Sequence, residues 1–302
     1  MTSKFDLIVI GGGSGGLAHA QRAAEYGAKA AVVESKPLGG TCVNVGCVPK
    51  KVMWYTAHQA HLFAHAAGYG FDVTVNDHSW SALKRGRDSY VTRLNGIYAN
   101  NLDKRGVQHI EGWATIIDKH TVQVGDAQYR AERLVIATGG RPLLPDIPGA
   151  ELGITSDGFF ELPERPERVL VAGSGYIAVE LAGVFAGLGS DTQLVIRKDR
   201  VLRSFDAMLS DELMAAMQQD GIGLSNGVIP SSVEKTPAGL LLHAEDGRQF
   251  GPVDSILWAI GRGPNTDGLG LEAAGVATDE AGFVPTDTYQ ATNVENIFAL
   301  GD

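Results

Sequence analysis

Two stretches of this chain follow one plan, and that repeat restricts the fold more than any other feature. Residues 5–34 run from an apolar, strand-like segment into Gly11-Gly12-Gly13-Ser14-Gly15-Gly16, then an Ala-rich helix-like segment, then a second apolar run at 30–33. Residues 168–197 do the same: Val169-Leu170-Val171-Ala172 leads into Gly173-Ser174-Gly175-Tyr176-Ile177-Ala178, a helix-like run through Leu188, and a strand at 193–196. Each is a βαβ unit of about 30 residues with a glycine-rich first turn. Two such units predict an α/β chain with two Rossmann-like dinucleotide-binding domains. The length of 302 residues agrees, since it exceeds what one core usually holds.

In such a turn the glycines allow a tight reversal and a close approach of backbone to pyrophosphate, whose charge is favoured by the free N–H groups at the helix start. The residue closing the second strand then tells the two sites apart. In the first unit it is Glu34, 23 positions after Gly11, placed to accept hydrogen bonds from an unphosphorylated ribose, as FAD or NAD would offer. The same offset from Gly173 reaches Ile196, followed by Arg197 and Lys198, with Arg200 and Arg203 close behind. Cations in place of a carboxylate suit a 2′-phosphate, hence NADP, although charge runs are often plain solvated loops. Two unlike dinucleotides in one chain suggest an electron relay from nicotinamide to flavin.

The two cysteines of the chain, Cys42 and Cys47, stand five positions apart directly after the first unit. A regular helix would separate them by about 7.5 Å along its axis, on different faces, whereas a disulfide needs Cα atoms within about 4.4–6.8 Å. Pairing therefore requires a distorted turn, which Gly46 and Pro49 would tolerate or impose. Inert buried thiols are the bland alternative. Zinc held with His58 and His61 is another, lacking further cysteines to complete a site. Lys50 and Lys51 follow at once, and a nearby cation is expected to lower a thiol pKa.

The formal net charge of −10 argues against nucleic acid as the main partner. No stretch approaches the ~18 apolar residues of a membrane helix. Met1 to Asp6 leads straight into apolar residues, without room for a signal peptide. With so few cysteines, a cytoplasmic, reducing setting is expected. The three prolines between Arg141 and Gly149 mark a domain boundary. Residues 134–137 and 255–260 read as strands, and 90–102 as a helix.

GGTCVNVGCVPKK at 39–51, GSGYIAVE at 173–180, VLRSFD at 201–206, ATGG at 137–140, AIGRGPNT at 259–266 and the closing ALGD at 299–302 together resemble the pyridine nucleotide-disulfide oxidoreductases, and within them the glutathione reductases. The resemblance spans the whole chain. It implies an FAD-binding domain at 1–141 and 273–302 with an NADPH-binding domain, 142–272, inserted. It further implies that NADPH reduces FAD, that FAD reduces a Cys42–Cys47 disulfide, and that the thiols reduce glutathione disulfide. Cys42 would attack substrate and Cys47 would lie nearest the flavin. Lys50 would sit by the flavin and pair with Glu180, and Tyr176 would cover the nicotinamide side.

By the same resemblance Gly11, Gly13, Ser14, Gly15, Gly16, Glu34, Gly40, Thr41, Lys50, Thr138, Gly139 and Asp302 would hold FAD. Gly173, Gly175, Tyr176, Ile177, Ala178, Glu180, Arg197, Lys198, Arg203, Ile260 and Gly261 would hold NADPH. Ser14 and Tyr98 match substrate-side positions, although Tyr98 could equally be core. Ala18 and Gln21 disfavour the cationic substrate of trypanothione-reducing relatives, while thioredoxin-type reductases need a further redox centre. Family members are homodimers that continue past the Gly-Asp motif into an interface domain with a His-Glu acid–base pair. The chain is therefore expected to be a truncated form, poorly dimeric and of low turnover, or a non-catalytic or diaphorase-active fragment.

Overall fold

The computed structural model describes residues 3–301, so Asp302, an expected flavin ligand, lies outside the described residues. The chain forms two compact units. Met1–Val48, Ser89–Arg141 and Gly263–Asp302 make the first, and Pro49–Asp88 with Pro142–Arg262 the second.

The first unit is built on a seven-stranded sheet in the order Gln108–Glu111, Ala30–Glu34, Ser3–Ile10, Ala127–Ile136, Thr121–Val124, Ala114–Asp118, with Ile297–Ala299 also paired to Ala127–Ile136. Ser3–Ile10 runs parallel to both neighbours, Ile8 facing Ala31 on one side and Leu134 on the other. Leu7 and Val9 join Leu17, Ala20 and Leu102 in one buried cluster, while Ile8 and Ile10 join Ile116, Val122 and Ile297 in another. Both faces are thus covered, which explains an unbroken apolar run in place of alternation.

The second unit holds a five-stranded parallel sheet ordered Gly223–Ser225, Asp191–Val195, Arg168–Ala172, Ser255–Trp258, Ile154–Thr155. Beside it lies a three-stranded antiparallel sheet of Pro230–Thr236, Gly239–Ala244 and Gln249–Val253. Val233, Leu242 and Val253 of that sheet share one buried cluster with Leu170, Ile256 and Trp258. Three aromatic rings make a second anchor: Trp80 stacks on Phe185 at 6.1 Å, and Phe159 meets both edge-on.

In each unit the strand order reverses beside the central strand, between Ser3–Ile10 and Ala127–Ile136 in the first and between Arg168–Ala172 and Ser255–Trp258 in the second. Open parallel sheets bind ligands at such switch points, outside the carboxyl ends of the strands. Both glycine turns sit there. The helices after them, Ser14–Glu25 and Tyr176–Gly187, begin where the sequence places them. The expected helix at 90–102 is longer, Trp80–Lys104, and the strand read at 255–260 stops at Trp258 because the chain turns away at Gly261 with φ +140°. Among the described residues no helix is long and apolar enough to cross a membrane.

Candidate nucleotide and redox sites

The glycines of the first turn have different reasons to be there. A Cβ on Gly11, whose φ is +114°, would lie 2.1 Å from the Ala137 carbonyl oxygen. One on Gly16 would lie 2.0 Å from the Gly11 carbonyl, and one on Gly15 would lie 2.5 Å from Leu300 Cδ1. Gly11 and Gly16 are thus demanded by packing against backbone, while Gly15 meets only the end of a leucine side chain that can move aside. Gly13 is not demanded by packing: a Cβ there would meet only Gly40 Cα, at an ordinary 3.8 Å. Its bareness makes sense if something other than protein approaches the turn, as a pyrophosphate would. Gly13 also leads into Ser14–Glu25 with no side-chain cap, leaving the first N–H groups for a ligand. Glu34 closes the cradle, accepting from the Gly12 N–H at 2.7 Å and the Lys36 N–H at 2.8 Å.

The second turn repeats the arrangement. Gly173, at φ +140°, would place a Cβ 2.1 Å from the Ala259 carbonyl oxygen, whereas Gly175 has nothing within 4 Å. Ala178 stands where the first turn has Gly16 and is fully buried. Ile177 is half-buried, Tyr176 is exposed at the first helical position, and Ile260 and Gly261 are exposed across the switch point. Beyond buried Ile196, Arg197, Lys198 and Arg203 are exposed and form no ion pair among the described residues. Arg200 differs from them: its guanidinium donates to both oxygens of Asp211, at 2.6 and 3.0 Å. Glu180, one turn after Tyr176, accepts from Lys50 Nζ at 2.6 Å.

Cys42 lies in the short helix Gly40–Asn44, and Cys47 opens Cys47–His65. Between them Val45 leaves the helical region with φ −141°, and Gly46 folds back so closely that a Cβ would lie 2.8 Å from the Thr41 carbonyl. This is the distorted turn that pairing needs. Pro49 plays another part than distortion: in the first helical turn its missing N–H costs nothing. The loop is tied to the flavin-type turn, since Gly39 donates to the Gly12 carbonyl at 2.8 Å and Gly40 (φ +60°) would place a Cβ 2.6 Å from Gly13 Cα.

Both cysteines are thiols, and Cys42 hydrogen-bonds to Cys47. Burial and the neighbouring Cys47 push the Cys42 thiol up to about 11, against the opposing pull of hydrogen bonds from the Cys47 backbone and the Ser14 side chain. The expected lowering by Lys50 and Lys51 therefore does not act on Cys42. Lys50 is paired with Glu180, and Lys51 lies over the rings of Trp54 and Tyr55, at 5.2 and 5.1 Å.

Asn44 and Asn95 escaped the sequence reading. Asn44 Nδ2 donates to the carbonyls of Gly40 and Pro37, while Asn95 Nδ2 donates to Asn44 Oδ1 at 2.9 Å and the Leu38 carbonyl at 2.6 Å. Together they brace the cysteine turn; the only signal was a polar residue inside CVNVGC. Thr138 and Gly139 line a cleft with Leu300 and Gly301. Tyr98 is half-buried against the core around Leu17 and Leu102.

The sequence pattern described as "Pyridine nucleotide-disulphide oxidoreductase" matches residues 5–302. The chain belongs to this family. Among relatives of the oxidoreductase family, the glutathione reductase of Schizosaccharomyces pombe is 50% identical over all of this chain and 67% of its own length. That of Yarrowia lipolytica is 48% identical over 99% of this chain and 67% of its own. The HOCl-induced flavoprotein disulfide reductase RclA from Escherichia coli superposes with a TM-score of 0.89 at 27% identity, covering 98% of this chain and 66% of that one. The chain thus spans about two thirds of the length of these oxidoreductases. FAD and NADPH are the cofactors that family membership carries, and the two bare glycine positions fit one dinucleotide each.

Proposed function

We propose that this chain carries the nucleotide and redox-disulfide machinery of an NADPH-dependent glutathione-disulfide reductase. The observation that carries the reading is the contact between Cys42 and Cys47 in a turn pinned, through Gly39 and Gly40, to a Glu34-closed dinucleotide cradle. Residues 1–141 with 273–302 form the FAD domain and 142–272 the NADPH domain. In the first, Gly11, Gly13, Ser14, Gly15, Gly16, Glu34, Gly40, Thr41, Thr138, Gly139 and Asp302 hold the flavin, with Lys50 beside it. In the second, Gly173, Gly175, Tyr176, Ile177, Ala178, Glu180, Arg197, Lys198, Arg203, Ile260 and Gly261 hold the pyridine nucleotide. Bound, these cofactors supply a hydride donor and a two-electron carrier.

The chain's own chemistry is thiol exchange. Cys42, as thiolate, attacks one sulfur of glutathione disulfide, forming a mixed disulfide and releasing one glutathione thiolate. Cys47 then attacks Cys42 Sγ, releasing the second and restoring the Cys42–Cys47 disulfide. A thiol held near 11 exchanges only when a base takes its proton, the role that the resemblance gives to the His-Glu pair of an interface domain. Cys47 opens a 19-residue helix, one short turn away from Cys42. Lys50, neutralised by Glu180, is held in place for the flavin. Ser14 reaches Cys42, in keeping with its substrate-side place, and Tyr98 packs against the core around Leu17 and Leu102. A homodimer and a cytoplasmic setting belong to the same reading, the first as the family resemblance implies and the second from the small number of cysteines.

Following NADPH oxidation at 340 nm with glutathione disulfide, and separately with an artificial electron acceptor, tests it. Turnover of both supports the reading; turnover of the acceptor alone leaves a diaphorase and discards glutathione as substrate of this chain.

A further inference from the structure

The loop that carries the exposed cations is held much more firmly than a solvated loop needs to be. It runs from the end of Asp191–Val195 to the start of Ala207–Gln219. At its centre Leu202 takes a left-handed backbone conformation, φ +48°, which is uncommon for a branched, non-glycine residue. The conformation is enforced from several sides. The Leu202 N–H donates to the Ser174 carbonyl at 2.7 Å, and its own carbonyl accepts from the Phe205 N–H at 2.8 Å and from Ser210 Oγ at 3.3 Å. Val201 beside it is fully buried, Arg200 is anchored on Asp211, and Asp206 caps the following helix by accepting from the Met208 N–H at 2.9 Å. Among the described residues these contacts consume Arg200 and Asp206 and leave Arg197, Lys198 and Arg203 without ion-pair partners.

Ser174 is the residue between Gly173 and Gly175, the first and second glycines of the turn. The strained residue is therefore bonded to the dinucleotide cradle itself, and Arg203 follows it by one position. Strained backbone persists only where its surroundings over-determine it, and such places often serve a site.

We propose that Leu202 is a positioning residue for nucleotide choice: its left-handed backbone, latched to Ser174, fixes Arg203 beside the glycine turn so that a 2′-phosphate finds a preformed cation. Holding the loop beforehand removes the ordering cost that a mobile arginine would carry at binding. The inference rests on the NADPH reading of this site and adds to it the part that sets the geometry.

The test measures binding of 2′,5′-ADP and of 5′-AMP by isothermal titration calorimetry, independent of flavin or turnover. Leu202→Ile, whose β-branch opposes a left-handed backbone, should weaken 2′,5′-ADP by about tenfold, the scale of one charge-assisted hydrogen bond, and leave 5′-AMP unchanged. Leu202→Gly, free to adopt positive φ, should stay within about twofold of the native protein for both. A Leu202→Ile protein with native preference overturns the proposal, as does a Leu202→Gly protein that loses as much as Leu202→Ile. Should Leu202→Ile not fold, the decision passes to Ser210→Ala, which removes only the hydroxyl on the Leu202 carbonyl and should show a milder selective loss. The NADPH reading fails separately, if the native protein binds both probes equally or Arg203→Gln leaves their ratio intact.

Discussion

Lys50 Nζ lies 2.6 Å from Glu180 Oε1, joining residues 130 positions apart in one charge pair. The pair ties the start of Cys47–His65 to Tyr176–Gly187, and the same two helices touch again where Gly187 admits Ala57. With Lys50 20% and Glu180 36% exposed, it stands between a surface pair and a buried one. Lys50→Met and Glu180→Gln should each destabilise the fold by about 1 kcal/mol, and the double variant should lose less than the sum. Thermal melts of the three variants check this double-mutant cycle.

Cys42 should react sluggishly for a cysteine. With its thiol at about 11 against an ordinary 9.0, roughly one molecule in a thousand is thiolate at pH 8, where an ordinary thiol would give about one in ten. Alkylation by iodoacetamide, followed by mass spectrometry of the Cys42 peptide, should climb steadily from pH 8 toward 11. Ser14→Ala removes a hydrogen bond that opposes the rise, so it should slow alkylation further at fixed pH. The linkage has a definite sign. A raised thiol pKa keeps the folded protein protonated where the unfolded chain has already ionised, so this contribution to stability is whole below 9 and lost between 9 and 11. Cys42→Ser should abolish disulfide reduction and leave flavin absorbance in place.

Gly11→Ala and Gly13→Ala should fail in different ways. The first drives a methyl group into the Ala137 carbonyl and should cost roughly 3 kcal/mol or more, read as a lower melting temperature. The second meets nothing closer than 3.8 Å, so the protein should fold normally and lose flavin on gel filtration. Gly173→Ala and Gly175→Ala should divide in the same manner over NADPH.

Replacing Arg197 and Arg203 together by Gln should weaken NADPH by about a hundredfold, two charge-assisted hydrogen bonds' worth, and leave NADH nearly untouched. Fluorescence titration with each nucleotide decides it; equal losses would place the arginines outside the 2′-phosphate site.

The parts visible from sequence were those in which local chemistry and fold agree. The two βαβ units announce themselves because apolar strands run straight into glycines at which an added Cβ would lie 2.1 Å from a carbonyl oxygen. The antiparallel sheet at Pro230–Val253 was not read, because its strands mix polar and apolar residues; the Asp246-Gly247 turn was the available hint. At the site, the need for a distorted turn between the cysteines followed from geometry alone. Their electrostatics did not: the adjacent lysines suggested an easily ionised thiol, and only the fold shows Lys50 claimed by Glu180 and Cys42 raised by burial. Ser14 beside Cys42, and Asn95 beside Asn44, are partners that no spacing rule links.

The unequal glycines have a consequence for descent. A lineage that abandoned nucleotides altogether would be released from Gly13 and Gly175 and could fill them with any small side chain, yet Gly11 and Gly173 would persist, held by the carbonyls of Ala137 and Ala259. The bare second position, more than the whole motif, is thus the record of whether a descendant still carries its dinucleotide.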